Sequence, residues 1–165
     1  MFREMRRKNQ ALDRDECLRI LQVRKSGVLA LSGDDGYPYA VPLNHVYVDG
    51  KLYFHCAIEG HKIDAIRGCD KASFCVIDAD DVDAEALSTR FRSVITFGRV
   101  RLVEDTELKK RALMALGERF APANMPKAMF QIKESMHRTG IIEFTIEHLS
   151  GKESRALARE RREQT

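Results

Sequence analysis

Between Leu52 and Ile66 the chain reads LYFHCAIEGHKIDAI. An apolar run delivers His55 and Cys56, and Gly60, His61 and Lys62 follow a short distance on. Ile63 and Ile66 then come at helical spacing, with Gly68 as a C-cap, which places both bases in the first turn of a short helix. A first turn exposes amide N–H groups that have no intrahelical acceptor, and it carries the positive end of the helix dipole. Cations are unfavourable there unless an anion lies beside them. Glycine lets the backbone come close to a ligand, Lys62 adds a point charge, and His61 adds a donor. Together these are the parts of a phosphate site. The competing reading is a turn that carries two exposed bases.

The remaining chemistry-bearing residues have weaker settings. The four cysteines, Cys17, Cys56, Cys69 and Cys75, form no CxxC pair, and no Cys/His spacing matches a metal site, so no metal is expected. Cys17 and Cys75 sit in apolar patterns and read as core residues. Cys56 reads as a small packing residue beside His55, with redox chemistry as the alternative. His45 alternates with apolar residues and reads as packing, while His137 and His148 have no supporting context.

The elements that must hold these residues can be followed along the chain. Asp13 is an N-cap for the helical pattern that continues to Lys25 and Gly27, with Glu16 in a box-like position. GVLALS (27–32) is a short strand, and GDDGYP breaks it. YAVPLNHVYV reads as one strand whose first face carries Tyr39, Val41, Leu43, His45 and Tyr47. Asp49-Gly50 signals a tight hairpin into KLYFHCA. Pro42 cannot donate to a ladder, so it implies an edge, a bulge or a break. KASFCVID and RSVITFGRVRLVED give two further strands. Asp105 caps a helix whose stripe is Leu108, Ala112, Leu116 and Phe120. KAMFQIKESM is a helix or a linker. TGIIEFTIEHL alternates Ile142, Phe144 and Ile146 against Glu143, Thr145 and Glu147, the pattern of a half-solvated strand. Strands joined by hairpins make an antiparallel barrel or sandwich, and a small barrel has no interior room for a cofactor. A ligand then lies outside it or in a cleft with a second subunit.

The chain has 165 residues, enough for one domain with a real core, here assigned to 1–150 with a charged tail at 151–165. The tail, GKESRALARERREQT, reads as a solvated helical end or a frayed arm. A net charge of +3, with both signs interspersed, does not support nucleic-acid binding. No apolar run reaches membrane-spanning length. The basic start MFREMRRKNQ lacks an apolar stretch behind it, so a cytoplasmic location is expected.

The ordered set GVLALSGDDGYPYAVPLNHVY, YFHCAIEGHK, KASFCVID and FRSVITFGRV resembles the FMN-binding split-barrel superfamily related to pyridoxamine 5'-phosphate oxidase. Within it the chain is most similar to the nitroimidazole-resistance (Nim-type) group. The likeness runs from about Gly27 to Glu104, and IEHLSGKES fits that group's ending. It implies a mainly β fold with flanking helices: a six-stranded antiparallel split barrel of FMN-binding type, paired as a homodimer with FMN in each interfacial cleft. Carried over by position, Val41, Pro42, Leu43 and Asn44 lie along the isoalloxazine ring, and irregular backbone at Pro42 frees groups to contact it. His55, Cys56 and Ala57 line the same cleft, and Gly60, His61 and Lys62 hold the phosphate. Phe91, Arg92 and Ser93 come from the partner subunit; the competing reading for Arg92 is a simple pairing with a carboxylate. His55 matches a histidine that the group places near the flavin, and it is the catalytic candidate for proton donation or substrate positioning.

The implied function is an FMN-dependent oxidoreductase acting on small molecules, with nitroaromatics such as 5-nitroimidazoles as a plausible substrate class. The alternatives are a flavin-, F420- or haem-binding carrier or sensor without turnover, or an enzyme like pyridoxamine 5'-phosphate oxidase. The arginine-containing ending of the true oxidases has no counterpart in TIEHLSGKESRA.

Overall fold

The computed structural model describes residues 2–163. It contains eight strands in one antiparallel sheet, with the order β3-β2-β6-β7-β8-β5-β4 and β1 paired to β8. The strands are β1 (Ala11–Leu12), β2 (Ser26–Ser32), β3 (Pro38–Asn44), β4 (Val46–Val48), β5 (Lys51–Ala57), β6 (Lys71–Asp83), β7 (Ser88–Leu102) and β8 (Thr139–Glu153). The helices are α1 (Arg14–Val23), α2 (His61–Gly68), α3 (Thr106–Phe120), α4 (Met125–Ser135) and α5 (Arg155–Glu163). No helix among the described residues is long and apolar enough to cross a membrane.

The expected six strands become eight through two details. A two-residue β1 adds to the outside of β8. The single strand expected from Tyr39 to Val48 divides at His45 into β3 and β4, which lie at opposite ends of the sheet order. Successive residues must be close in space, so a sheet whose two ends meet at one residue has curled into a barrel. His45 is the junction: it is fully buried, and its Nε2 lies 2.8 Å from the Leu21 carbonyl at the end of α1. Pro42 causes no irregularity. It pairs in regular register with Val28, because β3 is an edge strand and its missing N–H interrupts no further ladder.

Local signals account for most of the elements. Asp13 accepts from the Glu16 N–H at 2.8 Å and Asp105 from the Leu108 N–H at 2.6 Å, the two N-caps read from sequence. Helix α1 stops at Val23, where Arg119 of α3 donates to the Gln22 and Arg24 carbonyls. Asp49 and Gly50 both have positive φ (48° and 82°), the geometry of a tight hairpin turn. KAMFQIKESM resolves as helix, within α4. At Gly98 a side chain would strike the Thr145 carbonyl oxygen, so the β7–β8 bulge there requires glycine.

Two cores result. Inside the barrel, Phe54, Phe74 and Phe144 pack with Leu29, Leu52 and Val94, and the Phe54 and Phe74 rings meet edge-on at 5.0 Å. Each such ring buried contributes roughly 1.5–3 kcal/mol. Outside it, Tyr53 and Ile141 pack against Ala112, Leu113 and Leu116 of α3. That second core corrects the half-solvated reading of β8 at Glu143: helix α3 covers the outer face there and buries Ile141 and Glu143, while Ile142 and Phe144 face the barrel core and Thr145 and Glu147 are exposed as expected. Glu143 survives there because Tyr53 Oη, Arg101 Nε and Lys51 Nζ surround its carboxylate at 2.9, 2.7 and 3.0 Å. Cys17 is a core residue as expected. Cys75 is half-buried on the outer face instead, because the strand alternation turns Phe74 and Val76 inward.

The C-terminal segment is helical but is neither free nor frayed. Ala158 is 2% exposed, Arg162 donates to the Asn9 carbonyl at 2.7 Å, and Arg90 clasps Glu160 at 2.7 Å.

Candidate functional site

Strand β5 ends at Ala57, and the chain turns through Ile58 and Glu59 to Gly60, which has φ 109° and ψ 173°. That backbone conformation is confined to glycine, and no atom lies within 4 Å of where a side chain would be. The surface above Gly60 is therefore open. Helix α2 is anchored from below by Ile63, Ala65 and Ile66, all buried in the barrel core. The Ile63 and Asp64 amides both donate to the Gly60 carbonyl, at 2.7 and 3.2 Å, which leaves the His61 and Lys62 amides as the outward donors of the first turn. Lys62 is half-buried and has no ion-pair partner among the described residues.

His61 is held rather than free. Its ring stacks on Tyr39 with centroids 4.0 Å apart and planes 18° apart, and its Nε2 lies 3.6 Å from Asp34 Oδ2. The β2–β3 turn and α2 thus form one wall. Tyr39 and Asp34 escaped the sequence reading because nothing local ties residues 34–39 to residue 61. Only closure of the barrel brings them together.

Alternation divides the predicted contacts. On β3, Pro42 and Asn44 are exposed, while Val41 and Leu43 pack against the barrel core. On β5, His55 and Ala57 are exposed, while Cys56 is 9% exposed and turns inward against Gly140. Side chains of His55, Cys56 and Ala57 therefore do not line one cleft. Of the three, Cys56 could offer only its backbone. Burial pushes its thiol pKa up, and the charges of Lys62 and Lys109 pull it back only in part, so a reactive thiolate is disfavoured. His55 has no hydrogen-bond or ion-pair partner among the described residues.

The third predicted segment divides in the same way. Phe91 and Ser93 share one face of β7, and Lys152 sits over the Phe91 ring at 5.4 Å. Arg92 turns to the other face. There its guanidinium lies 3.1 Å from Glu153 and 3.6 Å from each of Glu16 and Asp78. The carboxylate pairing is the reading realised for Arg92.

Comparison with known proteins places this arrangement. The family model for pyridoxamine 5'-phosphate oxidase matches residues 13–153. The chain belongs to that family. Its members share the flavin-binding split barrel, and the family includes oxidoreductases. A solved structure from Bacteroides thetaiotaomicron, assigned to 5-nitroimidazole antibiotic resistance, aligns with TM-score 0.72 at 20% identity over 86% of this chain and 85% of that one. An FAD-binding protein from Mesorhizobium loti aligns with TM-score 0.63 at 25% identity, over 88% and 97%. An FAD- and haem-binding protein from Mycobacterium smegmatis aligns with TM-score 0.76 at 23% identity, over 90% and 74%. No curated protein sequence matches the chain.

Proposed function

We propose that two copies of this chain hold FMN in clefts at their shared interface, and that the loaded protein is an oxidoreductase reducing nitroaromatics such as 5-nitroimidazoles. The observation that carries the reading is Lys62: an unpartnered cation beside two free first-turn amides, under the open surface at Gly60. A phosphate group fits that donor set. Bound flavin would supply the electron transfer. Lys62 and the His61 and Lys62 amides would hold the phosphate, while Tyr39 and Asp34 fix the His61 ring. Pro42, Asn44 and the unpaired edge of β3 would lie along the ring system. His55 would hold and deliver a proton as a general acid.

The second copy is supported by the outer face of the sheet. Pro42, Val28, Cys75 and Ile95 form one cross-strand row there, with Phe97 and Ile77 nearby. Val28, Ile95, Phe97 and Ile77 are 38, 38, 40 and 59% exposed, an apolar surface of the kind a partner covers. Phe91 and Ser93 lie on the same strand face as Ile95, which makes them the natural contribution to a neighbour's cleft.

A second reading, a flavin carrier without turnover, is favoured by one observation: no hydrogen bond or ion pair among the described residues orients the His55 ring. The test begins with heat release of the bound cofactor and measurement of its mass and stoichiometry, together with sedimentation at micromolar concentration. One FMN per chain in a dimer is expected. FAD, F420, haem or a flavin-loaded monomer would overturn the corresponding part. Anaerobic reoxidation of the chemically reduced protein by a nitroimidazole then separates the enzyme from the carrier.

A further inference from the structure

The Lys8–Gln10 turn and the arginine-rich α5 meet on the side of the barrel where β1 joins β8. Helix α5 lies against the Lys8–Gln10 turn, and between them is a cleft of about 370 Å³ lined by Asn9, Gln10, Arg155, Ala158, Arg159 and Arg162, with Glu163 at one side. Three arginines against one glutamate leave the lining positively charged. Arg155 has no hydrogen-bond or ion-pair partner among the described residues. Arg159 binds Glu163 through its Nε at 2.9 Å, and Arg162 uses one terminal nitrogen on the Asn9 carbonyl at 2.7 Å, so both keep further donors. Gln10, 2% exposed, backs the cleft from within the fold.

We infer that this cleft is a second oxyanion site, separate from the α2 site, and that it takes a phosphate group, either as free inorganic phosphate or as the terminal group of a phosphate monoester. Guanidinium groups bind phosphate oxygens with charge-assisted, often bidentate bonds.

The test uses the full chain loaded with its cofactor, titrated with inorganic phosphate at constant ionic strength and followed by calorimetry and by phosphorus NMR line width. Saturable phosphate binding is expected, indifferent to chloride. Arg155→Ala together with Arg159→Ala should weaken it about tenfold or more while cofactor content stays unchanged. Both positions are exposed, so folding is not at stake. Lys62→Glu, which addresses the other site and is titrated without requiring bound cofactor, should leave the phosphate signal intact. No saturable binding, a signal that survives the double alanine variant, or a signal lost in Lys62→Glu would each overturn the inference. A glycerol phosphate titration then separates the sources: equal affinity indicates a monoester headgroup, and exclusion indicates the free ion.

Discussion

The barrel has charged and titratable groups in two contrasting settings, beneath α1 and around the start of α2. Beneath α1 the buried carboxylates and His45 each hold a partner from another element. Glu153 is fully buried between Arg92 (3.1 Å) and Arg161 (2.8 Å), Asp78 holds Arg24 at 2.6 Å, and His45 is pinned to the Leu21 carbonyl. Burial pushes the His45 pKa down to about 4. At the start of α2 and on the strand before it, Lys62 and His55 have no partner among the described residues, and Gly60 leaves open space at the helix start. The difference teaches which charges are structural. A buried ion with every lone pair met has nothing to offer a ligand, whereas a half-exposed cation at a helix start has its attraction still unspent.

The sharpest way to break this comparison is to move charge in each region. Glu153→Gln removes the buried carboxylate that Arg92 and Arg161 share and should cost about 3–5 kcal/mol in denaturant unfolding, while the folded fraction keeps its flavin. A stable protein that loses flavin instead would put Arg92 and Glu153 in the binding site. Lys62→Glu should do the reverse, reducing flavin phosphate affinity about a thousandfold with unchanged circular dichroism, since one favourable charge is lost and a repulsive one gained. Unaltered affinity would dissolve the phosphate assignment.

Acid sensitivity should follow the interior. The native His45 refuses a proton until about pH 4, whereas the unfolded chain accepts one near pH 6.5. The unfolded state thus binds more protons in that window, and stability falls as pH drops from about 6.5 to about 4, by roughly 3 kcal/mol from this residue. Urea midpoints at pH 7 and pH 4.5 should differ less in His45→Gln than in the native sequence. At the open site, His55→Ala should keep flavin bound yet slow nitroaromatic-driven reoxidation about a hundredfold, the low end for one acid–base group. Equal rates would return His55 to an ordinary surface role. The smallest effect belongs to Asp34→Ala. Its contact with His61 is exposed and 3.6 Å long, so flavin affinity should change by less than about threefold. A larger loss would show that the β2–β3 turn orders the whole α2 start.

Much of this was legible in the chain. Caps at Asp13 and Asp105, the Asp49-Gly50 turn and the period-two runs are local signals, because they depend on backbone geometry within a few residues. The glycine-histidine-lysine start of α2 was legible for the same reason, and the ordered motifs then named the family that the model match bears out. Three features were not legible. Glu143 looked solvated because its alternation is that of an exposed face, until α3 covers that face and supplies a second core. Tyr39–Val48 looked like one strand because nothing local separates Asn44 from Val46; the break at His45 exists only because the two halves belong to opposite ends of a curled sheet. Arg92 looked like a cofactor contact, with a carboxylate as the competing partner, and the choice lay with Glu153, Glu16 and Asp78, which are distant in sequence and adjacent only across β7, β8, β6 and α1. The sequence by itself determined the elements, the family and the identity of the α2 start, since these follow from short-range geometry and motif order. Tertiary structure alone decided which charges are spent and which remain free, because electrostatic partnership depends on distance in space, and only the closed barrel sets those distances.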